Sequence, residues 1–127
     1  MNPKEEAHSH YREGNSAYLK GNYEDAIRHH ESAIKINPRS AHFHIALSHA
    51  MLSCERLEEA ERCAENGFFL DPINQNAVSQ LANIYVNKAE YRKCVLTLIY
   101  LEMLQNYGGG NHENIVNSLE NIANTDE

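Results

Sequence analysis

The sequence predicts an all-α fold: a solenoid of antiparallel helical hairpins, six helices plus a capping seventh. Three observations lead there. The phrase YEDAIRHHESAIKINP at Tyr23–Pro38 returns as LEEAERCAENGFFLDP at Leu57–Pro72, with Pro38 and Pro72, Ala26 and Ala60, and Tyr23 and Leu57 each 34 residues apart. One further step lands on Tyr91 and Cys94 and opens a third copy, YRKCVLTLIYLEMLQN. A period of this length is the mark of stacked supersecondary units, each of which buries its apolar face only against its neighbours. The second observation is that two copies end in proline, which cannot continue a helix and so stops the second helix of a pair. The third is composition: 42% hydrophobic residues in 127 is enough for the core of one domain.

The elements follow in order, at about 6–20, 23–36, 40–53, 57–69, 74–88 and 91–106. Between the first two, Gly21 suits a C-cap and Asn22 an N-cap, which gives a tight reversal. The same place in the next two hairpins holds Glu55 and Ala89, a weaker turn signal. Pro38 and Pro72 close the second and fourth helices, and the residue before each is pushed away from the helical region. The third copy has Asn106 where proline would stand. Gly108, Gly109 and Gly110 then break the chain, and a seventh helix is expected at about 112–124. Its Ile115, Val116 and Leu119 take core positions, while Glu113, Asn117 and Glu120 face out, as a solenoid's terminal cap requires.

This pattern resembles the tetratricopeptide-repeat family over about Ala7 to Gly108, in frames 7–40, 41–74 and 75–108, so that 1–127 reads as a single repeat domain. The first frame carries Gly14, Ala26, Ala33 and Pro38 at the family's small-residue and proline positions. The second carries Leu47, Ala60, Gly67 and Pro72, and the third Leu81, Ala82, Tyr85, Cys94 and Leu101. Small residues let the two helices of a hairpin approach closely. The chain has no Trp, and the family's early aromatic position holds His10, His44 and Val78.

The resemblance implies that the first helix of each pair lines a concave groove that holds a segment of another protein. Helical spacing then supplies the candidates. They are His8, Tyr11, Arg12, Asn15 and Tyr18 on the first helix, and His42, Ile45, Ala46 and His49 on the third. Asn76, Gln80 and Asn83 follow on the fifth, and Asn117 on the cap. The first repeat, YREGNSAYLKGNYEDAI, looks like those of co-chaperones that clamp acidic C-terminal tails of heat-shock chaperones. Only Asn15 keeps that clamp. Tyr11, Ala46, Asn76 and Gln80 stand where the family has lysine, asparagine, lysine and arginine. A carboxylate needs charge-assisted donors to be held well, so strong binding of such tails is not expected. Asn15, Asn83 and Asn117 share one repeat position, and amides both donate and accept, which suits the backbone of an extended peptide.

Other classes are disfavoured. A net charge of −7 argues against nucleic acid as partner. No run approaches the roughly 20 apolar residues of a membrane span, and the polar start MNPKEEAHSHYREG has no signal-peptide core, so a soluble, intracellular, cytoplasmic chain is expected. Cys54, Cys63 and Cys94 form neither a CxxC pair nor a disulfide framework. Eight histidines show no HExxH and no Cys-plus-His spacing, so neither a metal nor another cofactor is expected. His10, His30 and His44 read as aromatic-like packing. No nucleophile has a base and an orienter at useful spacing, which predicts a non-enzyme. Finally, an outer stripe of Phe69, Leu96, Ile99, Tyr100 and Met103 is apolar where the first hairpin has Arg28, Glu31 and Lys35. It is expected to form a homodimer contact or a partner surface. Two functions therefore compete: an adaptor or co-chaperone module that holds a peptide, and a homodimeric secretion or assembly chaperone for one dedicated client.

Overall fold

The computed structural model describes residues 2–106. The expected seventh helix and Asn117 lie outside them. The described residues form six α-helices: α1 (Pro3–Leu19), α2 (Tyr23–Ile36), α3 (Ala41–Ser53), α4 (Leu57–Leu70), α5 (Gln75–Asn87) and α6 (Tyr91–Gln105). The hairpins α1–α2, α3–α4 and α5–α6 carry the densest packing. They stack in order through α2 on α3 and α4 on α5. The first helices also meet directly, α1 with α3 and α3 with α5, so they share one face of the stack.

Five of the helices begin within a residue of the sequence expectation, whereas α1 begins three residues early, at Pro3. The cause is a local cap. Proline at the first helical position loses no hydrogen bond, and Asn2 Oδ1 accepts from the Glu5 amide at 2.8 Å. Each hairpin turns by the same device. Gly21 sits at φ +80°, with bonds from its amide to the Tyr18 carbonyl (3.0 Å) and from the Asn22 amide to the Ala17 carbonyl (2.9 Å). Glu55 (φ 61°) and Ala89 (φ 59°) repeat that conformation and those bonds without glycine. Turn geometry therefore persists where the turn residue does not, because the flanking helices are held together by packing.

The core follows the small-residue pattern. Ala26, Ala33, Ala50, Ala60, Ala64 and Ala77 are fully buried, which brings neighbouring helices close. Ile27, Leu47, Met51, Leu81 and Ile84 fill the space between hairpins. Gly14 is required where α1 crosses α2: a Cβ there would lie 2.5 Å from the ring of the buried His30. Polar links tie successive hairpins. Arg56 bonds Glu24 (3.1 Å), and Lys88 reaches Glu58 (3.2 Å) and Glu61 (2.5 Å) on α4 and Glu90 (3.3 Å). The three carboxylates hold the Lys88 ammonium above its ordinary range, the bond to Glu61 contributing most. His44 Nε2 donates to the Pro38 carbonyl at 2.9 Å, fastening α3 to the proline stop of α2.

The outer stripe needs correction. Phe69 is 86% exposed, but Leu96 and Tyr100 turn toward the preceding hairpin. They line a cleft with Phe68, Val78, Leu81 and Tyr85. Tyr100 meets Phe68 edge-on at 5.8 Å, and its hydroxyl donates to the Pro72 carbonyl at 2.8 Å. Ile99 and Met103 are half-buried. The exposed aliphatic residues of α6 include instead Val95 (43%) and Leu98 (49%). They occupy the repeat positions of Ile27 and His30, which in the first hairpin are buried. Among the described residues no hairpin follows α6, so this is the face on which a repeat stacks its successor. No described helix is long and apolar enough to cross a membrane.

Candidate functional site

The face shared by α1, α3 and α5 holds a cleft of about 230 Å³. Tyr11, Asn15 and Tyr18 line it from α1, at the three- and four-residue spacing that puts side chains on one helical face. His42, Ile45, Ala46 and His49 line it from α3, and Asn76 enters from the first turn of α5. The α5 N-cap Asn74 fixes that turn by accepting from the Asn76 and Ala77 amides at 2.9 and 3.2 Å. Seven of the predicted groove residues are thus brought together, with Ala46 beside them.

Tyr11 organises one wall. Its ring lies 5.2 Å from Phe43, 5.8 Å from His30 and 5.7 Å from His8, joining α1 to both α2 and α3. Tyr11 and His42 also border an adjoining cleft of about 360 Å³, which His8 lines, so the groove extends toward the N-terminal end of α1. Tyr18 closes the other end, its ring tilted against that of Tyr23 at 5.3 Å and its hydroxyl accepting from Ser53 Oγ at 3.3 Å.

Three predicted groove residues are placed elsewhere. Gln80 is corrected: it is 2% exposed, and its Nε2 donates to Ser48 Oγ at 3.1 Å inside the core. Its side chain is long enough to fold back to a buried hydroxyl that the sequence pattern does not reveal. Arg12 lies outside the cleft, beside Asn2, Lys4 and Glu5. Asn83 is exposed and lines neither cleft; its carbonyl accepts from Asn87 Nδ2 at 2.8 Å. One lining residue was missed as such: His30, on a second helix, reaches the cleft from behind α1. The absent Cβ of Gly14 was the signal, since it opens the space the imidazole fills.

The electrostatics are those of a neutral site. The nine lining residues include neither lysine nor arginine. Burial lowers the His30 imidazole from 6.5 to about 4, with the neighbouring His29 adding to the effect, and desolvation lowers His49 as well. Both rings are therefore neutral donor–acceptors near neutral pH. Two of the thiols, Cys63 and Cys54, are displaced away from reactivity. Burial pushes Cys63 up to about 11, and desolvation together with the Glu24 carboxylate raises Cys54.

Fold and site together define a helical-hairpin repeat scaffold with an uncharged polar cleft on the face of its first helices. Residues 7–40 match the sequence model of the tetratricopeptide repeat, and the six described helices form a hairpin stack of that repeat fold. A curated relative, a TPR repeat-containing thioredoxin (TTL4) of Arabidopsis thaliana, is 31% identical over 77 residues, which is 61% of this chain. The match takes in about a tenth (11%) of that relative's length. Among solved structures, the Arabidopsis OM64 TPR domain superposes with a TM-score of 0.79 at 16% identity, covering 97% of this chain and 98% of that one. The second TPR domain of human RPAP3, solved in complex with the HSP70 peptide SGPTIEEVD, gives 0.77 at 21%, covering 96% and 98%. The TPR2B domain of yeast Sti1, in its pHsp70 complex, gives 0.76 at 18%, covering 94% and 97%. At these identities the likeness is one of fold.

Proposed function

We propose that this chain is a non-catalytic protein–protein interaction module, of adaptor or co-chaperone type, that holds an extended segment of a partner protein in the cleft between α1, α3 and α5. The observation that carries the reading is the cleft's lining: two amides, three imidazoles and two tyrosines around an apolar floor of Ile45 and Ala46. Amides and neutral imidazoles both donate and accept, so they can pair with the alternating groups of a peptide backbone. Tyrosine adds rigid contact area with little loss of side-chain freedom. Domains of similar fold were solved as complexes, the second TPR domain of human RPAP3 with an HSP70 peptide and the TPR2B domain of yeast Sti1 with pHsp70, which supports a segment of another protein as the ligand. Affinity capture with mass spectrometry, followed by calorimetry on the recovered segment, tests the proposal. Asn15→Ala with Asn76→Ala removes two pairing groups at net values of about 1 kcal/mol each, so affinity is expected to fall at least about tenfold. An unchanged affinity removes the groove from the function.

Exposed Val95 and Leu98 favour a second reading, a homodimeric chaperone for a dedicated client. It predicts a dimer in sedimentation that Leu98→Glu dissolves; a monomer at all concentrations rejects it.

A further inference from the structure

We infer that His10, Glu13 and His29 form a binding site for a divalent ion of the zinc class, on the side of the first hairpin away from the groove. His10 and Glu13 stand three residues apart on α1 and so share a face, and His29 approaches from α2. One donor atom from each lies within 4.8 Å of the other two. Glu13 Oε2 is already 3.3 Å from His29 Nδ1, and Ser9 Oγ donates to the other carboxylate oxygen at 3.5 Å, steadying it. Tetrahedral zinc with bonds of about 2.0–2.1 Å sets its donors about 3.4 Å apart. One pair therefore stands at that spacing, and small side-chain rotations bring in the third.

A second observation points to a ligand. His10 Nδ1 is buried with no hydrogen-bond partner. An unpaired buried polar atom costs free energy, which an added ligand on that ring can offset. Two imidazoles and a carboxylate suit zinc and leave a fourth position open. The cleft over His10 and His29 is bordered by Arg28, Glu31, Ser32 and Lys35 and has a volume of about 440 Å³, room for water or a partner's side chain there. Arg28, which borders this cleft, is paired with Asp25. His30, next in sequence, points away into the groove. The ion would therefore join α1 to α2 without entering the peptide cleft.

The test titrates the metal-free full chain with Zn²⁺ alone by calorimetry, and with Co²⁺ by absorption spectroscopy to read coordination geometry. The expected result is one saturable ion and tetrahedral cobalt bands, with a higher thermal midpoint in the presence of Zn²⁺. His29→Ala and Glu13→Gln should each weaken binding at least about tenfold, while His42→Ala and His49→Ala leave it unchanged. Glu13 is exposed, so Glu13→Gln should keep its helical circular dichroism and provides a folded variant. Absence of saturable binding overturns the inference. Binding that survives both His29→Ala and Glu13→Gln does so too, since the ion is then held elsewhere on the chain.

Discussion

Gln80 Nε2 donates to Ser48 Oγ at 3.1 Å, and the Ser48 hydroxyl passes its own proton toward the Ala60 carbonyl at 2.7 Å. Both side chains are buried, at 2% and 0% exposure, so this polar chain joins α3, α4 and α5 through the second and third hairpins. Ser48→Ala strands the Gln80 amide in the core and should cost about 1–3 kcal/mol in urea denaturation. Adding Gln80→Met removes the stranded group at similar volume, so the double variant should be more stable than Ser48→Ala alone. A double variant less stable than the single would show that the amide has another partner.

Gly14→Ala decides between two opposing effects. Replacing glycine in mid-helix gains up to about 1 kcal/mol of helix propensity. The new methyl, however, meets the His30 ring at 2.5 Å, and that ring is 1% exposed with little room to shift. Overpacking of this kind costs about 1–3 kcal/mol, so a net loss of stability is expected by thermal denaturation. His30→Ala in the same background should relieve the clash.

Acid should destabilise the fold through His30. Its folded-state pKa lies at about 4, below the ordinary 6.5, so folding favours the neutral ring. Above pH 6.5 the contribution is fully present. As pH falls from 6.5 to about 4, the unfolded chain takes up a proton that the folded chain refuses, and stability declines. The loss from this group is at most about 3 kcal/mol. Denaturation midpoints measured across that window should slope downward, and His30→Phe should flatten the slope.

Glu55→Gly and Ala89→Gly should each stabilise the protein. Both residues hold positive φ, where a side chain costs about 1–2 kcal/mol that glycine does not incur. Glycine's greater freedom in the unfolded chain takes back part of this, leaving a gain of about 0.5–1 kcal/mol. Unchanged or lower midpoints would mean that the side chains contribute contacts of their own at these turns.

Peptides ending in acidic residues, such as SGPTIEEVD, should bind weakly, because the nine residues that line the central cleft include no cation and Lys4 borders only the adjoining one. Asn76→Lys places one ammonium at the cleft edge and should raise affinity for such a peptide by about tenfold at low salt, fading as salt is added. Tight binding by the unmodified chain in calorimetry would contradict the reading of the cleft as neutral.

Much of the fold is legible because it rests on local rules applied three times. The 34-residue spacing locates the hairpins, the prolines place two stops, and Gly21 with Asn22 marks one reversal. Glu55 and Ala89 are poor turn signals by themselves, yet they adopt the same turn, since register and packing override the residue's preference. The groove is legible for Tyr11, Asn15, Tyr18, His42, Ile45, His49 and Asn76, because helical spacing fixes which face a side chain leaves from. It fails for Gln80, whose repeat-position counterparts Ala46 and Arg12 do not fold inward. Only Ser48, 32 residues away, makes the interior favourable for an amide.

The sequence by itself determined the number of described hairpins, their order and the helix faces that line the groove, because these follow from periodicity, small residues and stop signals within one repeat. The tertiary structure decided what depends on contacts between repeats or between the helices of one hairpin. It turned Leu96 and Tyr100 toward Phe68 and Pro72, exposed Val95 and Leu98, and buried His30 in the space Gly14 leaves. It also set His29 against His10 and Glu13, 19 and 16 residues earlier in the chain, a grouping invisible to linear spacing. The physical reason is common to all of these: a side chain's direction is a local property, while its partner is supplied by whichever helix packs across from it.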